Sequence, residues 1–146
     1  MMEENNEQAR NWAMWCHLSS IAGITVVFPF PFLNILCPLI VWHFKKNQLS
    51  FIEAHGKESL NFQLSLLIYT MIFAVILLFL IGFIIWTADS DQSFYSIATI
   101  GIMLLYGLIG LYGIAGILSF ALVIFAAVKA KKGEFYHYPF TIRFLE

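Results

Sequence analysis

Charge is what this chain has least of. Asp, Glu, Lys and Arg make up 12% of its 146 residues, about half the share usual in soluble domains. Beside 60% hydrophobic residues and apolar runs longer than about 18 residues, that scarcity excludes an ordinary soluble domain. A formal net charge of −1 leaves no overall basic field for nucleic acid. Cysteine is nearly absent as well. Cys16 and Cys37 both fall in apolar segments without a CxxC pair, so they read as reduced packing thiols rather than a disulfide framework. No HExxH or paired Cys/His spacing occurs, and no metal or cofactor is assigned. The leader MMEENNEQARNW sets Glu3, Glu4 and Glu7 against Arg10 where a secretory signal carries a basic region. The first apolar segment is therefore expected to be retained as an anchor.

What the chain does have is four apolar segments, expected as helices over about 12–28, 32–44, 50–86 and 97–132, with a cytoplasmic tail at 133–146. They predict one all-α integral membrane domain over 1–146. Its architecture is a four-helix bundle: a short N-terminal helical hairpin plus two long transmembrane helices. The third segment, roughly 25 apolar residues or about 37 Å of helix, is long enough to span with tilt. The second, roughly 13 residues or about 20 Å, falls short of the hydrocarbon thickness. The first two segments thus form either a shallow re-entrant hairpin or two short crossings, turned by the prolines of FPFPF. The fourth is long for one crossing, but splitting it would move KAKK outside.

Basic residues orient the chain. Lys45, Lys46 and Lys57 follow the second segment, and Lys129, Lys131, Lys132 and Arg143 follow the fourth. The loop TADSDQSFYS between the third and fourth has Asp89 and Asp91 and no basic residue. Both termini are accordingly expected in the cytoplasm and the acidic loop outside.

The stretch SFIEAHGKESLNFQ, from Ser50 to Gln63, is dense in ionisable groups yet runs straight into the third apolar segment. Ser50 and Glu53 fit a capping box, and Glu53 and Lys57 are one turn apart in the favourable order. The stretch is expected to be an interfacial amphipathic lead-in helix. His55, Glu58, Ser59 and Phe62 share a stripe, and Glu58 to Asn61 carries polarity toward the membrane. This face is either a small polar site or a surface bonded to headgroups and tail. Folding the hairpin back brings His17 and His43 to the level of His55. In the tail, Gly133 is expected to end the fourth helix. Phe135, Tyr136, Tyr138 and Phe140 are expected at headgroup depth, with lysines favouring anionic lipid. Arg143 is a candidate partner for Glu58 or Glu53. Gly107, Gly110, Gly113 and Gly116 recur every third residue and drift around the fourth helix, reading as close packing or as a kink or gate.

The order W-x-x-x-x-HLS, CPLIVWHFKK, FIEAHGKESLNFQ and KAKKGEFYHYPFTIRF resembles a bacterial family of small multi-spanning membrane proteins of unassigned function. That family is grouped with the small channel-like subunit of the chloroplast inner-envelope protein translocon. The resemblance covers Trp12 to Phe144 and implies an inner-membrane protein. It places His17, His55, Glu58, Asn61, Gln63, Lys129, Gly133, Tyr138, Pro139 and Arg143 at motif positions. With the stripe above, it marks a polar collar of His17, His55, Glu58, Asn61, Gln63, Lys129, Tyr138 and Arg143.

Three functions follow. The first is a non-enzymatic accessory or envelope-integrity factor acting through the collar. The second is an oligomeric channel or translocon-like component using the glycine-rich helix, although the third and fourth helices lack intramembrane charge. The third is a membrane enzyme or redox protein built on the histidines, for which one helical His/Glu face is a weak basis. The expected partners are the bilayer, anionic headgroups, and a membrane protein or a second copy.

Overall fold

The computed structural model describes residues 2–26, 33–45, 50–88 and 95–145. They form α1 (Met2–Val26), α2 (Leu33–Lys45), α3 (Ser50–Ala88) and α4 (Tyr95–Lys131), followed by an irregular tail. The FPFPF reversal and the loop carrying Asp89 and Asp91 lie outside the described residues.

The first helix differs from the expectation. It begins at Met2 rather than near Trp12, because Glu, Gln, Ala and Arg in the leader are good helix formers. Burial also continues backward along one face. Ala9, Ala13, Cys16, His17 and Ser20 are all buried at the spacing of a helical stripe. Small side chains there let α1 lie along α2. Ala9 and Cys16 pack with Ile52 at the start of α3, flanked by Trp12, Val41 and Phe51.

The third helix is continuous from Ser50 to Ala88, 39 residues or about 58 Å. The expected lead-in forms the first three turns of this helix, continuous with the apolar run as the 50–86 expectation had it. The fourth is also unbroken, 37 residues. It closes with the hydrogen bonds of a Schellman motif: Glu134 N–H donates to Lys129 C=O (3.0 Å) and Gly133 N–H to Ala130 C=O (3.0 Å). Gly133 has φ +82°, as that motif requires. A Cβ there would also stand 2.9 Å from Arg10 Nε, a contact the flexible arginine can relieve, so the positive φ is what calls for glycine. Both α3 and α4 are long and apolar enough to cross a bilayer, over Ser50–Thr87 and Ile97–Lys131, whereas the apolar part of α2, Asn34–Phe44, is too short to do so alone.

The chain divides into two compact units. The first, Met1–Leu66 with Ser119–Glu146, holds α1, α2, the start of α3, the end of α4 and the tail. One of its cores is Phe62, Val123, Ala126 and Tyr138. In the second, Leu67–Leu118, the outer parts of α3 and α4 touch at few points. Thr70 and Tyr112 share a hydrogen bond of 2.9 Å, Phe73 stacks on Tyr112 at 4.4 Å, and Gly101 lies against Ile84. Ile72, Phe79, Met103 and Leu111 point outward, an apolar surface of the kind lipid solvates.

Candidate functional site

The polar turns at the head of α3 form a clamp on the C-terminal tail. Glu58, Asn61 and Ser65 on these turns are each spent on a partner distant in sequence. Glu58 accepts the Tyr138 N–H on one oxygen (2.8 Å) and faces His137 Nδ1 with the other (3.3 Å). One turn on, the Asn61 side chain accepts from the N–H groups of Phe144 (3.1 Å) and Leu145 (2.9 Å). It also donates to the Leu145 carbonyl (2.9 Å). Ser65 accepts the Ile142 N–H (2.8 Å) and donates back to Asn61 C=O (2.7 Å). A tail without helix or strand thus has its backbone satisfied by side chains, as buried amides require.

Above this clamp runs a hydrogen-bonded chain from the tail through α1 to α3. The Tyr138 hydroxyl meets His17 Nδ1 (3.0 Å), and His17 Nε2 meets His55 Nδ1 (3.0 Å). Two proton arrangements fit. Donation from Tyr138 toward His55 leaves an N–H at His55 Nε2. The reverse leaves a lone pair there and turns the hydroxyl proton elsewhere. His55 Nε2 is buried without a hydrogen-bond partner among the described residues. Its ring is stacked under Phe135 (5.4 Å, 3° between planes) and against the edge of Phe51 (4.4 Å). The α1 backbone is tied in by Ser59, which donates to Cys16 C=O (2.8 Å).

Tyr138 corrects an expectation. Its ring is not turned outward but is 5% exposed, stacked on Phe62 with centroids 3.9 Å apart. Burial, then Tyr136 and Glu58, hold its hydroxyl well above the ordinary 10, so it stays a neutral hydrogen-bonding group. Tyr136 is shifted upward by burial and by Glu58. On the surface, the hydrogen bond from Lys129 lowers Glu134.

The other marked residues are placed as follows. Gln63 is buried and accepts from Asn34 of α2 (3.1 Å). Lys129 pairs with Glu134 at the end of α4 and does not join the clamp. Arg143 is exposed and has no ion pair among the described residues; its expected partners are engaged otherwise, Glu53 by Lys57 (3.0 Å) and Glu58 by the tail. His43 lies on α2 beside Phe44. No group of three or more His, Cys, Asp or Glu suited to a metal ion occurs among the described residues. Added Cβ atoms at Gly107, Gly110, Gly113 and Gly116 would meet nothing within 4 Å. Those glycines do not serve packing within the chain. Sequence reasoning missed Ser65, Asn34 and the contact of Gly56 with Trp42, where a Cβ would fall 2.1 Å from the indole. A glycine inside a helical run was the only signal for that contact.

A family model matches residues 8–145, that of the MamF/MmsF magnetosome magnetite crystal formation protein family. The chain belongs to this family. No curated protein and no solved structure matches it. MamF/MmsF membership replaces the resemblance to a family grouped with the chloroplast translocon, and translocation is withdrawn with it. The HLS, FIEAHGKESLNFQ and HYPFTIRF motifs that carried the resemblance all lie inside the matched span. The structure shows why they misled: His17, Glu58, Asn61 and Tyr138 tie the tail to the helices. They describe how a MamF/MmsF chain is held together, not what it transports. With two candidate spans, this MamF/MmsF chain is a helical, membrane-embedded protein.

Proposed function

We propose that this chain is a non-enzymatic multi-pass protein of the magnetosome membrane that takes part in magnetite crystal formation. Its tail clamp serves as a fixed platform on the cytoplasmic side. The match to the MamF/MmsF family over residues 8–145 carries this reading. A structural rather than catalytic role is supported by where the polar groups are spent. Glu58, Asn61, Ser59, Ser65, His17 and Tyr138 bond to the chain's own segments, whereas an acid–base catalyst needs a group directed at substrate.

The test is expression in a magnetosome-forming bacterium whose own family member has been deleted, with crystal lengths measured by electron microscopy. Restored crystal size supports the reading. Membrane-inserted protein that leaves crystals as in the deletion strain overturns it. Glu58→Ala, which frees the tail at Tyr138, is expected to weaken the rescue while the protein still reaches the membrane.

An oligomeric channel is the second reading, favoured by the open space at Gly107, Gly110, Gly113 and Gly116. Those positions would let another helix approach closely. Cross-linking in native membranes tests it, and a monomer with no ion flux in vesicles excludes it.

A further inference from the structure

We propose that the turn at Pro139–Phe140 is an aromatic hook seated in the bilayer at the boundary of headgroups and acyl chains. The C-terminal tail is then a membrane-anchoring element rather than a free cytoplasmic segment. Three independent features of the first unit point there.

The path of the tail is the first. It bonds to α3 at Glu58, then at Ser65, then back at Asn61. At about 1.5 Å per residue, the tail advances roughly 10 Å along α3 and returns by about 6 Å. Ser65 lies past the last charged residue of α3, since none occurs from 59 to 88. The tail's deepest point is therefore alongside the charge-free part of the helix. Irregular backbone is tolerated at such depth only where its polar groups have partners. Glu58, Asn61 and Ser65 supply partners to the amides of Tyr138, Ile142, Phe144 and Leu145.

The second feature is the direction of the side chains. While the backbone is bonded inward, Phe140 is 89% exposed and Phe135 62%. Ile142 and Phe144 are exposed alongside them. They continue the exposed apolar surface of a candidate span. Tyr136 packs edge-on against Phe125 (5.3 Å), and Phe125 with Phe120, Ile124 and Val128 is exposed on the candidate span of α4. The exposed Lys132 and Arg143 are long side chains able to reach anionic headgroups from such a position.

Backbone strain is the third. Phe140 has φ +59°, and proline followed by a positive-φ residue is the type II turn arrangement, in which glycine normally takes the second place. A bulky residue held in the left-handed region is a strained choice. Glycine would relax the turn but would remove the side chain that the turn projects outward.

The experiment uses the full chain with Cys16→Ala, Cys37→Ala and Phe140→Cys, labelled with bimane and reconstituted in vesicles of phosphatidylethanolamine and phosphatidylglycerol (3:1). Blue-shifted emission, quenched several-fold more by 5-doxyl lipid than by iodide, is the expected result. Emission quenched by iodide and not by doxyl lipid overturns the proposal. Excimer emission from a pyrene label at the same position also overturns it, since Phe140 would then face a second copy. To guard against a label that disturbs the turn, the same probe is placed at Phe144→Cys with and without Phe140→Gly. The glycine variant is expected to melt no lower in detergent, yet to lose the doxyl quenching at 144. Quenching that persists in that variant shows that Phe140 is not the anchor.

Discussion

A single side chain, Asn61, holds three backbone groups of the tail. Removing it by Asn61→Ala leaves two amides and a carbonyl in part-buried surroundings, at a cost of about 1–3 kcal/mol. A lower melting temperature in detergent and faster proteolysis after Gly133 are expected. Asn61→Asp keeps the acceptor for both amides and is expected to be milder; equal melting of both variants would sink the clamp as described. Tyr138 makes a second residue-level case. Tyr138→Phe keeps the stack on Phe62 and loses the bond to His17, costing about 1–2 kcal/mol. Its pH dependence has a definite sign. An unfolded chain's tyrosine ionises near 10, whereas the folded hydroxyl is held higher. The folded state therefore binds more protons above that pH. This contribution is complete below about pH 10 and is lost as pH climbs through the raised value. Melting curves from pH 8 to 11 should show a shallower alkaline decline in Tyr138→Phe than in the parent. Gly133 was legible in the sequence because its cause is local: a helix end beside lysines. Tyr138 was not. An aromatic ring with a hydroxyl reads as a headgroup-level residue, and its partner His17 stands 121 positions away.

At the scale of elements, the long apolar runs announced α3 and α4, and the start of α3 at Ser50 followed from its helix-starting residues. The backward extension of α1 was hidden because its buried stripe is made of Ala9, Ala13, Cys16 and Ser20, too small and mixed to stand out as an apolar face. Helix contacts likewise separate two kinds of glycine that look alike in the sequence. At Gly56 α3 is in tight contact with α2, with Trp42 in the place of a Cβ. Gly56→Ala is expected to force that indole aside and to destabilise the protein by about 1–3 kcal/mol, read as a lower melting temperature. Gly110 faces open space, so Gly110→Ala is expected to leave melting unchanged or to raise it, alanine being favoured over glycine in helices by about 1 kcal/mol. Should Gly110→Ala instead melt much lower only where the protein self-associates, α4 is an assembly face.

Across the whole molecule, the division of charge follows the division of the fold. All eight Lys and Arg residues belong to the first unit, and none occurs from 58 to 128. The second unit, Leu67–Leu118, has only Asp89 and Asp91 as charged residues. The basic, clamped residues thus belong to one unit, and a nearly uncharged apolar stretch makes up the other. The positive-inside rule counts Lys and Arg near the ends of spans, and α4 ends among Lys129, Lys131 and Lys132. On that ground we propose that both termini are cytoplasmic and that position 90 is on the opposite side. Green fluorescent protein fused after Glu146 should fluoresce, and alkaline phosphatase inserted at position 90 should be active. The reverse pair of results would place the clamp and its aromatic tail on the crystal side of the membrane. Phosphatase activity at both positions would show that one of the two long helices does not cross.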